Sequence, residues 1–99
     1  MRILDVEGVD AYLIGPNDLS ASVGHIGRTE HPDMAPIYER IGRIMRERNR
    51  LFGVSVGFEA ETIRSWLDRG ARMIFAGNDV GYVHDGALSV LEGMRALTR

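Results

Sequence analysis

The segment Gly15-Pro16-Asn17-Asp18-Leu19-Ser20 concentrates more reactive chemistry than any other stretch of this chain. It directly follows Val9-Asp10-Ala11-Tyr12-Leu13-Ile14, which reads as a β-strand ending at the Gly-Pro turn signal. Residues just past the carboxyl end of a strand are where α/β proteins assemble ligand sites. Asn17 and Asp18 would bring backbone amides and a carboxylate to that rim, and carboxylate oxygen is the donor a hard divalent cation prefers. Asn and Asp after a strand also make Asx-turns and cap helices, and spacing alone favours that second use. Asn78-Asp79, after another apolar run, poses the same choice between lining the mouth and capping a helix, with the cap the better fit.

The remaining candidates are weaker. His25, His31 and His84 show no ligand spacing; His31 reads as a helix-start residue and His84 as a surface group. Arg40, Arg43, Arg46, Arg48 and Arg50 crowd together, but Glu39 and Glu47 lie among them, which describes a solvated helix face better than an anion site. The glycines do not make a G-x-G-x-x-G fingerprint behind a strand, so no dinucleotide site is indicated. All 12 basic residues are Arg, so no Lys is present to form a Schiff base. With 0 Cys, thiolate metal sites, disulfides and a Cys nucleophile are excluded as well.

Three strand-then-helix units must position these residues. The first strand, Val9 to Ile14, leads through a Ser- and Gly-rich loop to about Glu30, and His31-Pro32-Asp33 opens a helix running to about Asn49. Its apolar stripe is Ile37, Ile41, Ile44 and Met45. The second unit pairs Leu51 to Val56 with a helix from about Glu59 to Arg69, striped by Ile63, Trp66 and Leu67 and ended by Gly70. The third pairs Arg72 to Gly77 with a helix from about Tyr82 to Leu97, whose apolar side is Val83, Ala87, Val90, Leu91, Met94 and Leu97. The strands are near-continuous apolar runs, as in a parallel sheet covered on both faces. Strands alternating with helices place the chain in the α/β class. Ahead of the first strand, Ile3, Leu4 and Val6 followed by Gly8 read as the last turn of a helix and its cap, the expectation being that earlier units are missing.

Composition narrows the function classes. The chain has 99 residues with 44% hydrophobic and 26% charged, which is the profile of one small folded domain. A formal net charge of -2 offers no basic field for nucleic acid or an anionic membrane surface. No apolar run reaches the roughly 20 residues of a membrane helix, and the first residues lack a signal-peptide core. The absence of Cys fits a cytoplasmic protein.

The run from Val6 to Ser22 (Val-Glu-Gly-Val-Asp-Ala-Tyr-Leu-Ile-Gly-Pro-Asn-Asp-Leu-Ser-Ala-Ser) resembles the signature of the HpcH/HpaI aldolases, the class II hydroxy-oxo-acid aldolases. His31-Pro32-Asp33, the strand holding Gly53, and Phe75-Ala76-Gly77-Asn78-Asp79-Val80-Gly81 follow in that family's order and spacing. The Gly-Pro-x-Asp-Leu-Ser block is fairly specific, the later segments supporting.

That resemblance implies a (β/α)8 barrel, of which residues 1–99 would be the last three β/α units: a single partial domain, against about 250 residues for a whole barrel. It implies a divalent cation, Mg²⁺, Mn²⁺ or Co²⁺, that holds pyruvate and steadies the charge developing on its keto oxygen during aldol cleavage. The family's aspartate ligand falls on Asp18, and the amides of Asn17 and Asp18 would approach the pyruvate carboxylate. Ser55 stands at a strand end where a larger apolar residue is common, and counts with Asn17 and Asp18 as substrate-binding. The second carboxylate ligand, the Arg at the enolate and the proton-transfer His would all precede Met1, so no catalytic residue is expected within the chain. The family also implies a homo-oligomer. Citrate-lyase-like and phosphoenolpyruvate-using enzymes have related turns, but Pro16 and Leu19-Ser20-Ala21-Ser22 favour the aldolases. A non-catalytic assembly module is the alternative from outside enzymes.

Overall fold

The computed structural model describes residues 2–98. β-branched and aromatic residues form three short strands, β1 (Tyr12–Ile14), β2 (Phe52–Val56) and β3 (Met73–Ala76). They make one parallel sheet in the order β1-β2-β3, with Tyr12 opposite Phe52, Ile14 opposite Val54, Gly53 opposite Met73 and Val56 opposite Ala76. Four helices follow or separate them: α1 (Pro16–Ser22), α2 (Met34–Glu47), α3 (Ala60–Asp68) and α4 (Asp79–Leu97). The α/β reading and all three strand-then-helix units hold. A short 3₁₀ turn at Arg2–Asp5 precedes β1, where a helix end was expected.

One face of the sheet is sealed. Tyr12, Phe52 and Val54 pack there against Met34, Tyr38, Ile41 and Met45 of α2 and Trp66 of α3, with Leu4 and Ala71 closing the cluster. Met34, Tyr38, Ile41 and Met45 recur every three or four residues, so the buried stripe of α2 starts one turn earlier than expected and leaves Ile37 and Ile44 half-buried. Leu67 of α3 is half exposed, because Trp66 alone fills the space over the sheet. Arg69 lies across both aromatic rings, 4.9 Å from the Trp66 centroid and 5.3 Å from that of Tyr38, and is tied to Glu39 at 2.8 Å.

The opposite face is open, which corrects the expectation of cover on both sides. Leu13 and Phe75 point there at about half exposure, and Ser55 is also exposed. Nor does α4 bury its apolar side: none of its residues is buried, and Val83, Val90 and Leu97 are among the most exposed hydrophobics of the chain. The helix leaves the sheet edge at Asn78, and α2 and α3 already occupy the sealed face. Extents of 59 × 28 × 21 Å describe the resulting elongated shape.

Two further features tie the units together. Arg48 donates to the Asp5 carboxylate at 2.8 Å, holding that carboxyl below its ordinary value, and Arg50 reaches the Leu4 carbonyl. These two arginines of the basic cluster therefore clasp the first turn of the chain as well as facing solvent. Gly70 ends α3 with φ 103, as its sequence position requires.

Candidate functional site

The Gly-Pro turn does more than bend the chain. Gly15 leaves β1 in an extended conformation and serves as the N-cap of α1, and Pro16 occupies its first position, where the missing N–H costs nothing. The region expected as an open loop therefore begins with two helical turns. Asn17 and Asp18 lie in the first of them, exposed at the carboxyl end of the sheet. Ser20, fully buried, donates its hydroxyl to the Asn17 carbonyl at 2.9 Å, and the Ser20 carbonyl accepts the His25 amide at 2.8 Å. The Ser of the motif thus braces the first turn of α1 from inside, a role that spacing did not reveal.

Asn17, Asp18 and Ser55 line one cavity of about 460 Å³, together with Leu13, Gly15 and Pro16. They come from two separate strand ends that the register β1-β2 sets side by side. The Asp18 carboxylate folds back toward Gly15, where a Cβ would meet its Oδ2 at 3.4 Å. A second cavity of about 350 Å³ shares Pro16, Asn17 and Ser55 and extends past Thr29, Glu30, Phe58, Glu59 and Thr62 to Trp66. The lining residues of the first cavity can offer one carboxylate, an amide oxygen and a hydroxyl, the oxygen donors a hard cation takes, but a single carboxylate is fewer than such sites use.

The second cavity is acidic. Glu59 caps α3, its carboxylate accepting the amides of Glu61 at 3.1 Å and Thr62 at 3.0 Å and the Thr62 hydroxyl. The Thr62 side chain first, then the two amides, hold the Glu59 carboxyl below its ordinary value. Tyr38 donates to the Thr29 carbonyl at 2.7 Å, and burial, seconded by Glu30, pushes its phenol up.

Asn78 and Asp79 do not join this mouth. Asn78 caps α4, accepting the Gly81 amide at 2.7 Å, in line with the cap reading. His84 is exposed and His31 stands at the start of α2, as expected, but His25 and His31 come together in a way their spacing did not imply. His25 and His31 stack at 3.7 Å beside Asp33, whose backbone N–H donates to His31 Nδ1; Asp33 stands at the N-cap position of α2 without a side-chain bond to the helix amides. Residues six apart meet because Gly24 and Gly27 take positive φ and coil the loop back on itself.

Comparison with known proteins agrees with this architecture. The HpcH/HpaI aldolase/citrate lyase family matches residues 1–85. A 5-keto-4-deoxy-D-glucarate aldolase of Salmonella arizonae (strain ATCC BAA-731 / CDC346-86 / RSK2980) is 33% identical over 84 residues, covering 85% of this chain and 32% of its own. The crystal structure of a family member from Burkholderia cenocepacia J2315 superposes with a TM-score of 0.83 at 30% identity, over 95% of this chain and 36% of that one. An HpcH/HpaI aldolase from Desulfitobacterium hafniense DCB-2 gives 0.81 at 32% identity, over 94% and 36%. The chain thus spans about a third of the length of these relatives. Among the described residues, no helix is long and apolar enough to cross a membrane. By the extent of the family match, the chain belongs to the HpcH/HpaI aldolase/citrate lyase family.

Proposed function

We propose that this chain forms the last three β/α units, a single partial domain over residues 1–99, of a (β/α)8 barrel that cleaves a 4-hydroxy-2-oxo acid to pyruvate and an aldehyde. The observation carrying the reading is that Asn17, Asp18 and Ser55, drawn from two strand ends, line one cavity at the carboxyl end of a parallel sheet. Asp18 would hold a divalent cation such as Mg²⁺, Mn²⁺ or Co²⁺, which when bound supplies a Lewis acid beside the keto oxygen. The amides of Asn17 and Asp18 would receive the substrate carboxylate, and Ser20 braces the turn that carries them. Ser55 borders the aldehyde side and leaves more room there than a larger residue would. A parallel sheet covered by helices on one face and open on the other is the arrangement that a segment of such a barrel would present.

One carboxylate does not make a selective cation site, so the activity belongs to a protein supplying further ligands, and the chain alone is inactive. The cytoplasm is the compartment this reading assigns, and a homo-oligomer of such barrels the assembly. Replacing Asp18 in a full-length protein carrying this segment tests the reading. Asp18→Asn keeps the shape but loses the charge, and should lower turnover of a 4-hydroxy-2-oxo acid by at least about 100-fold, roughly 2.7 kcal/mol of barrier, with the fold intact. Near-normal turnover in Asp18→Asn would return Asp18 to a capping role.

A further inference from the structure

We propose that His25, His31 and Asp33 form a second metal site, for a divalent transition-metal ion of the Zn²⁺ or Ni²⁺ kind, distinct from the Asp18 cavity. The three side chains offer ligand atoms that all lie within 4.8 Å of one another. His25 Nε2 is 2.9 Å and His31 Nδ1 3.7 Å from the same Asp33 oxygen, Oδ2. Tetrahedral ligands on bonds of about 2.0–2.1 Å stand roughly 3.3 Å apart, and the two observed separations bracket that value.

The donor set decides which ion is taken. Two imidazoles and one carboxylate suit Zn²⁺, Co²⁺ or Ni²⁺, whereas Mg²⁺ prefers oxygen and keeps its waters. The two sites of this chain would therefore separate Mg²⁺ and Mn²⁺, which favour oxygen, from Zn²⁺ and Ni²⁺, which favour imidazole, with Co²⁺ acceptable to both. Access is open, because the Asp33 side chain is 69% exposed and leaves room for water in the remaining coordination positions.

The loop holding the cluster is already braced. His25 N bonds to the Ser20 carbonyl, Arg28 N to His25, His31 N to Arg28 and Met34 N to His31, so the backbone positions of the ligands are set before any ion arrives. Binding replaces the hydrogen bond between His25 Nε2 and Asp33 and the one from the Asp33 amide to His31 Nδ1. The rings stack with 15° between their planes, so their lone pairs run side by side, and His31, whose side chain is a quarter exposed, must swing out of the stack to converge on the ion. The ion would then pin the connection between α1 and α2, whose Thr29 and Glu30 border the smaller cavity. This proposal stands on the loop alone and does not depend on the aldolase reading.

Titration calorimetry of the full chain with ZnCl₂, alongside the visible absorption of added Co²⁺, tests it. One Zn²⁺ per chain is expected, with a rise in melting temperature and no displacement by excess Mg²⁺. His31→Ala and Asp33→Asn should each weaken uptake by at least about tenfold, with far-UV circular dichroism confirming the fold. If His31→Ala does not fold, the near-isosteric Asp33→Asn decides. Asp18→Asn and His84→Ala should leave the affinity unchanged, His84 being the exposed histidine beside Asp85. Absence of saturable Zn²⁺ uptake, or uptake that Asp33→Asn leaves undiminished, overturns the assignment.

Discussion

Gly53 lies opposite Met73 in the parallel pairing of β2 with β3, and a Cβ on Gly53 would fall 2.2 Å from the Met73 carbonyl oxygen. The neighbour is backbone on an adjacent strand, so it cannot rotate aside as a flexible side chain would. Gly53→Ala must therefore spread the two strands or strain them, at about 1–3 kcal/mol. Urea denaturation should show the midpoint falling with the slope unchanged. A variant as stable as the parent would mean that the strands part at no cost.

Acid should loosen the start of α3. The Glu59 carboxylate is favoured in the folded state by Thr62 and two amides, so its contribution is present above the ordinary carboxyl value of 4.5 and is lost as the pH falls below that through its lowered folded value. Amide exchange at Glu61 and Thr62 should accelerate on going from pH 6 toward pH 3, relative to amides in the middle of α2. Glu59→Gln should exchange faster at pH 6 and lose most of this pH response. A parent whose two amides stay equally protected across that range would contradict the capping assignment.

Mg²⁺ should bind the chain weakly at Asp18, and pyruvate should not tighten it. A single carboxylate beside amide and hydroxyl oxygens falls short of the donor count hard cations demand. Mn²⁺ should behave alike, since among first-row divalent transition ions it has the least affinity for an imidazole cluster. Calorimetry with and without pyruvate measures this. Tight binding coupled to pyruvate would show that other groups of the chain complete the site.

Helix α4 should drive self-association. It exposes Val80, Val83, Val90, Leu91, Met94 and Leu97 with no buried residue, and apolar stretches of this kind recruit partners. Sedimentation over a concentration series should show a rising average mass. Val83→Glu with Leu91→Glu should reduce it, leaving the far-UV spectrum of the rest of the fold in place. A monomer at every concentration tested would show that the helix needs no cover.

Much of this fold was legible in the sequence because parallel strands and capped helices leave strong local marks. Tyr12, Phe52, Val54 and Trp66 sit in runs whose apolarity or spacing announces burial, and Gly70 marks its helix end by residue type. What was not legible depends on contacts made at a distance. The cover on a sheet face is decided by which helices reach it, so the open side bearing Leu13 and Phe75 has no signature within its own strand. The first turn of α1 was hidden because Gly-Pro reads equally as a loop opening and as a helix start. His25 and His31 meet only through two glycines in left-handed conformations, which no ligand-spacing rule records. The grouping of Asn17 and Asp18 with Ser55 in one cavity follows from register, a property of the pair of strands and not of either one.

The sheet with one sealed face and one open face sets two different standards for neighbouring residues of the same strand. Tyr12, Ile14, Phe52 and Val54 answer to the volume left by α2 and α3, where a methylene more or less is felt. Leu13, Ser55 and Phe75 answer only to what lies in front of the sheet. Tolerance to substitution along β1 and β2 should therefore beat with a period of two, strict then permissive, with Gly53 the one strict note on the permissive side. Changes on the open face are therefore judged by whatever packs in front of the sheet, independently of the core that α2 and α3 form behind it.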